Sequence, residues 1–265
     1  MTAIQQVDLE RKLITVASGK GGVGKTWFAV TLGHVLARAG RHVMLFDGDL
    51  GLANVDIQLG LMPERDIGDV INGSCDLKGV SMALEEKGIT GVFDIIPGKS
   101  GSGALGTLAR EKLGMIKAGL TALGASYDHV ILDLAAGIDA GVMMLSDHKG
   151  VILVVLTADP TSLTDAYAFI KITAMRDPEA DIRIVVNMAN SQREGERAYE
   201  AIKKACENFL KISPPLAGII KTDKKIVDAI RNQTPLLVRH PQSEAAAAVA
   251  KIARGFPAQP KALAG

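Results

Sequence analysis

The chain has 265 residues, enough for one large α/β domain that buries roughly 70–75% of its unfolded surface without staples. Apolar residues make up 48% and aromatics only 4%, so Ala, Gly, Val, Ile and Leu fill the core, and the longest apolar run, Val151–Leu156, is too short to span a bilayer. A net charge of +1 argues for neither nucleic acid nor an acidic partner; two isolated cysteines, Cys75 and Cys206, fit a reducing compartment and cannot alone supply a zinc or iron–sulfur site.

In chain order, residues 1–11 are polar, carry no signal pattern and are expected to be a flexible leader. Lys12–Ala17 alternates and holds the β-branched Ile14, Thr15 and Val16, so it reads as a strand. Gly19–Thr26 follows as G-K-G-G-V-G-K-T, which meets the phosphate-loop pattern G-x-x-x-x-G-K-[ST] at every fixed position. Phe28, Val30, Leu32, Val35 and Leu36 continue as a helix to Ala39, and Gly40 ends it. Strand, glycine loop and helix thus stand in the order that phosphate binding requires. The backbone N–H groups of Gly21, Gly22, Val23 and Gly24 are expected to face phosphate oxygens, and the helix start adds positive dipole. Lys25 is expected to contact the β- and γ-phosphates of a nucleotide, with the Thr26 hydroxyl on Mg²⁺.

His42–Phe46 reads as a buried strand running into Asp47-Gly48-Asp49, with Asn54 and Asp56 close behind. Carboxylates at a strand's C-terminal end, beside a phosphate loop, sit where open α/β sheets bind ligands. Ile67–Ile71 and Val80–Leu84 read as short helices, Val92–Ile96 as a strand, Lys99–Gly106 as a Gly/Ser loop and Thr107–Leu123 as a helix. His129–Asp133 is an apolar strand ending in a carboxylate, the Walker B position, where Asp133 can hold the magnesium water shell. Gly137 allows the backbone to approach the γ-phosphate and to move when that group leaves.

Gly150–Leu156 is the next strand, and Thr161 or Ser162 is expected to cap a helix reaching Met175. Ile182–Val186 is a strand ending at Asn187, Gly195–Leu210 an amphipathic helix, and Leu216–Ile220 a short strand ending near Asp223. Lys224–Arg231 and Ser243–Ala253 read as helices, and residues 257–265 as a tail. The expected architecture is a single α/β domain over 12–256, a mostly parallel sheet with helices on both faces in the P-loop NTPase fold.

The loop carries a second lysine, Lys20, directly after its first glycine, which the generic pattern does not require. GKGGVGKT resembles the deviant Walker A loop of the MinD/ParA ATPases, and the resemblance runs over roughly residues 12–255. FDGDLGLANVDIQLGL at 46–61 is similar to the family's switch I, and HVILDLAAGI at 129–138 to Walker B plus switch II, with Leu134-Ala135 in place of the frequent Thr-Pro or Thr-Ala. ADPTSLTDAYAFIK at 158–171 and DLGLANVD at 49–56 most resemble the flagellar-number branch, FlhG (FleN).

The resemblance implies an ATP-dependent homodimer with ATP and Mg²⁺ as ligands. It implies metal contacts from Thr26, Asp47 and Asp133, a water-orienting Asp49, a Lys20 that acts across the dimer on the partner's phosphates, and Asn187 and Asp223 near the adenine. It also implies a cytoplasmic protein that visits the inner membrane or cell pole, and a flagellar partner: an FlhF-type GTPase, a switch component or a transcription regulator. Two features depart from the branch. Residues 1–11 hold no convincing copy of the glutamine-containing motif that stimulates FlhF, and Ala245–Ala250 lacks the bulky apolar residues of a membrane-inserting helix, so membrane binding is expected to be weak or absent. The alternative is a partition or division-positioning ATPase that binds DNA or membrane as a dimer. Lys221, Lys224, Lys225, Arg231 and Arg239 could contribute its basic surface, but a solvated helix face explains them better, so nucleic-acid binding is not expected. Nitrogenase-type relatives need cysteine pairs, and tyrosine kinases of this class need a C-terminal tyrosine cluster; no tyrosine follows Tyr199.

Overall fold

The computed structural model describes residues 3–49, 53–98 and 108–256. Eight strands form one sheet: β1 (Leu13–Ala17), β2 (His42–Gly48), β3 (Met82–Ala83), β4 (Val92–Ile96), β5 (His129–Leu134), β6 (Val151–Leu156), β7 (Asp181–Ala189) and β8 (Leu216–Lys221). Their order is β3-β4-β2-β5-β1-β6-β7-β8, and every pairing is parallel except β3 with β4. β1 lies between β5 and β6, so the chain leaves it in one direction to build β2 and returns on its other side to build β6. That reversal opens a crevice at the C-terminal ends of the central strands.

The strands are apolar on both faces because helices cover both. The helices are α1 (Ala3–Glu10), α2 (Lys25–Arg38), α3 (Val55–Leu59), α4 (Ile67–Ile71), α5 (Arg110–Leu123), α6 (Ala140–Leu145), α7 (Pro160–Arg176), α8 (Gln192–Leu210), α9 (Lys224–Arg231), α10 (Leu236–Arg239) and α11 (Glu244–Ala253). Alternate strand residues divide the core in two. Leu13, Val130, Leu132 and Val154 join α5 to α8 on one side; Ile14, Val16, Ile131 and Val155 join α2 and α9 to α11 on the other. None of the described helices is long and apolar enough to cross a membrane.

Three expectations need correction. Residues 3–10 of the expected leader form helix α1, whose last turn meets the body of the domain where the Lys149 N–H donates to Glu10 Oε2 at 3.3 Å. Val80–Leu84 is not a helix: a 3-10 turn, Lys78–Val80, leads into β3, and the Leu84 N–H donates to the Phe93 carbonyl at 2.8 Å. Neither Thr161 nor Ser162 caps α7; Asp159 does, accepting from the Thr161 N–H at 2.8 Å with Pro160 in the first helical position. The Gly/Ser loop 99–106 and the tail 257–265 lie outside the described residues. α11 buries Ala245, Ala246, Val249, Ile252 and Ala253 against α2 and β8, so its small residues serve close packing.

Candidate nucleotide site

β1 is buried along its whole length and delivers Ser18 and the glycine loop to the crevice. Gly24 opens α2 with φ 87°, a left-handed conformation that a side chain disfavours. Any Cβ there would also stand 2.5 Å from both Asn187 Nδ2 and Trp27 Nε1. The Asn187 side chain, from the end of β7, donates Nδ2 to the Val23 carbonyl at 2.7 Å, which fixes its amide and leaves Oδ1 buried without a partner among the described residues.

Lys25 is 8% exposed, and its Nζ donates to Ser18 Oγ at 3.0 Å. Burial lowers its pKa, and the charges of Asp133 and Asp49 oppose that shift. Ser18 Oγ in turn donates to the Lys20 carbonyl at 2.7 Å. The loop pattern begins at Gly19 and so misses Ser18, though its place between strand and loop marks it as a residue that can steer Lys25.

Asp47 and Asp133 face each other in register on β2 and β5, each 1% exposed. Asp47 accepts from the backbone N–H groups of Asp49 (3.2 Å), Asn54 (3.0 Å) and Val55 (3.1 Å), three positions within the expected switch I segment. Among the described residues, neither oxygen of Asp133 makes a hydrogen bond of normal geometry. Burial pushes both carboxyls upward: for Asp47 against its three backbone donors, for Asp133 with the Asp47 charge adding and the Thr26 hydroxyl and Lys25 charge opposing. Two adjacent buried carboxylates set against one lysine and a threonine hydroxyl leave the place short of positive charge, and a hard divalent cation fits it. No three His, Cys, Asp or Glu side chains gather into a closed cage among the described residues, as suits Mg²⁺, which takes one or two carboxylates and completes its shell with phosphate and water. Gly137, at φ 111°, donates its N–H to the Ser18 carbonyl at 2.9 Å and so couples the segment after β5 to the phosphate loop.

Lys20 lies apart from this cluster. Its Nζ donates to Asp159 Oδ2 at 3.2 Å and to Thr161 Oγ1 at the start of α7, with the side chain 37% exposed. Bonds from the Thr161 hydroxyl and N–H, then from Lys20, hold the Asp159 carboxyl at about 2. Asp223 caps α9, accepting from the Lys225 N–H at 2.9 Å, and also accepts from the Ala245 N–H at 3.4 Å. The basic cluster is partly neutralised: Lys221 pairs with Glu244 and Arg239 with Asp228.

Residues 14–236 match the CobQ/CobB/MinD/ParA nucleotide binding domain. The antiactivator FleN of Pseudomonas aeruginosa is 36% identical over 92% of this chain and 85% of its own length. The flagellum site-determining protein YlxH of Helicobacter pylori is 32% identical over 74% of this chain and 65% of its own length. Among solved structures, the MinC:MinD cell division complex of Aquifex aeolicus contains a chain that superposes with a TM-score of 0.74 at 25% identity, covering 92% of this chain and 94% of that one. Loop, paired carboxylates, sheet order and these likenesses agree: the chain belongs to the MinD/ParA family of nucleotide-binding domains.

Proposed function

We propose that this chain is a Mg²⁺-dependent ATPase that works as an ATP-dependent dimerisation switch in the control of flagellar number or placement. The convergence of Lys25, Ser18, Asp47 and Asp133 on one phosphate loop carries the nucleotide reading. The likeness to FleN and to the flagellum site-determining YlxH supports the flagellar one. Thr26, Asp47 and Asp133 would hold Mg²⁺, which when bound draws charge from the phosphates. The backbone N–H groups of Gly21–Thr26 orient the phosphates, and Lys25 follows charge toward the γ-phosphate. Asp49, whose charge reaches Lys25, orients the attacking water. Asp47 and Gly137 transmit the state of the site, since one holds the N–H groups of Asp49, Asn54 and Val55 and the other bonds the Ser18 carbonyl.

Lys20 of one subunit stabilises transition-state charge in the other, and Asn187 accepts a hydrogen bond from the adenine with its free Oδ1. The protein partner belongs to flagellar assembly: an FlhF-type GTPase, a switch component or a transcription regulator. The protein works in the cytoplasm, with transient visits to the inner membrane or pole.

The test is oligomeric state by light scattering with Mg²⁺ and ATP, read beside phosphate release. The parent chain forms dimers and hydrolyses ATP; Lys25→Ala stays monomeric; Asp49→Ala accumulates dimers and releases little phosphate. A Lys25→Ala protein that still dimerises with ATP would overturn the assignment.

A further inference from the structure

Trp27 is the chain's only tryptophan, and it stands in the first turn of α2 directly after Thr26. It is 5% exposed, packs edge-on against Phe28 and lines a small cavity with Leu59, Ile226, Ala229 and Leu236. Packing explains the ring but not its polar edge. The indole N–H is a donor only, and Nε1 is buried with no hydrogen-bond partner among the described residues. Buried donors are almost always paired, so an orphan asks for an explanation.

Its position supplies one. The point 2.5 Å from Trp27 Nε1 is also 2.5 Å from Asn187 Nδ2, and it is where a Cβ on Gly24 would sit. The indole N–H and the Asn187 amide therefore meet at the last glycine of the phosphate loop. They do not satisfy one another, because Asn187 is turned by its bond to the Val23 carbonyl, and its own Oδ1 is the second orphan there. One unpaired donor and one unpaired acceptor thus flank the same glycine, and both belong to elements that start or end at the loop.

We propose that Trp27 is a nucleotide-contact residue: its indole N–H donates to an acceptor oxygen of the bound nucleoside phosphate, on the phosphate chain or the ribose. This rests on the nucleotide reading of the loop and adds a contact that the loop pattern does not contain. Gly24 has no side chain to stand between the loop backbone and the indole. The contact is a positioning one and is made to the ground-state ligand, so it acts on affinity.

A single tryptophan makes the test direct, using the full chain. In a ¹⁵N-labelled sample the one indole N–H resonance is followed on addition of Mg²⁺ with ADP, Mg²⁺ with tripolyphosphate, or adenosine, while calorimetry measures binding of the same ligands. The indole proton moves downfield with ADP. A matching shift with tripolyphosphate assigns the acceptor to the phosphates, and one with adenosine assigns it to the ribose. Trp27→Phe, which keeps an aromatic ring and removes the donor, binds ADP about tenfold more weakly. If the parent chain binds ADP by calorimetry while the indole resonance stays in place and Trp27→Phe binds within about twofold, the proposal fails and the nucleotide reading stands. If the parent chain shows no heat with ADP and Lys25→Ala behaves identically, both fail together.

Discussion

At the scale of single residues, the site is governed by charge that the fold leaves uncompensated. Asp133 has two buried oxygens without normal hydrogen bonds among the described residues and a second buried carboxylate, Asp47, opposite it. Such a pair destabilises the protein without ligand at neutral pH. Asp133→Asn removes the carboxyl whose burial beside Asp47 holds its folded pKa above the unfolded value, and with it the cost of burying a group that is ionised when unfolded. The ligand-free variant is therefore expected to be more stable than the parent by about 1 kcal/mol or more, and to lose the further stabilisation that Mg²⁺ adds with ADP. Thermal unfolding with and without Mg²⁺ and ADP reads both effects, and a variant less stable than the parent without ligand would contradict this account. Lys20 presents a different balance. It is held in its own subunit by Asp159 and Thr161, so action across a dimer requires it to let go. The contact is exposed and weak, and Asp159→Asn is expected to shift the ATP concentration for half-dimerisation downward by only a few-fold. An upward shift would show that Asp159 assists the dimer rather than restraining Lys20.

At the scale of elements, α11 decides how the C-terminal end behaves. Its apolar face lies on α2 and β8, with Ile252 and Val249 buried. Ile252→Ala is expected to cost about 2–4 kcal/mol in denaturant unfolding, while the parent dimer stays with the soluble fraction in a liposome flotation assay. Strong ATP-dependent flotation would place α11 on lipid instead. The elements also show what a sequence can disclose. The loop was legible because its fixed residues and its strand–loop–helix context are local. Asp47 and Asp133 were legible because each ends an apolar strand. β3 was not, since two residues have no periodicity and only the cross-strand bond to Phe93 defines them. α1 was not, since its residues lie mostly exposed and no buried apolar stripe marks it as a helix. The Lys20–Thr161 contact joins residues 141 positions apart, beyond the reach of any local pattern. Asp159 was passed over as a cap because the hydroxyls of Thr161 and Ser162 compete for that role on paper. In the structure, the Ser162 hydroxyl accepts from the Thr157 N–H at 3.0 Å instead.

For the whole molecule, acid should act through buried imidazoles before it acts on ion pairs. His148 is sealed between the Thr15 hydroxyl and the Gly150 N–H, and burial pushes it down to about 3. Burial likewise takes His129 down to about 4 and lowers His34. A histidine neutral in the fold but free to protonate when unfolded stabilises fully above its unfolded pKa of about 6.5, and that contribution is lost as pH falls below it. At about pH 5 each fully buried imidazole has given up at most about 2 kcal/mol. Asp159 and Asp228, both held at about 2, lose their contributions only at much lower pH. Asp47 and Asp133 run the other way: their raised folded values make protonation easier in the fold, so acid relieves their repulsion. Without ligand, this relief partly offsets the histidine loss. With Mg²⁺ and ADP, both carboxylates must be ionised to hold the cation, so protons compete with it. The increment in melting temperature from Mg²⁺ and ADP is therefore expected to shrink steadily from about pH 8 to about pH 5, while the ligand-free melting temperature falls more gently. Asp133→Asn, without half of the offsetting pair, should show the steeper ligand-free decline. Melting curves at four or so pH values across that range test all three slopes, and an increment that grows toward acid would rule out a cation held by Asp47 and Asp133.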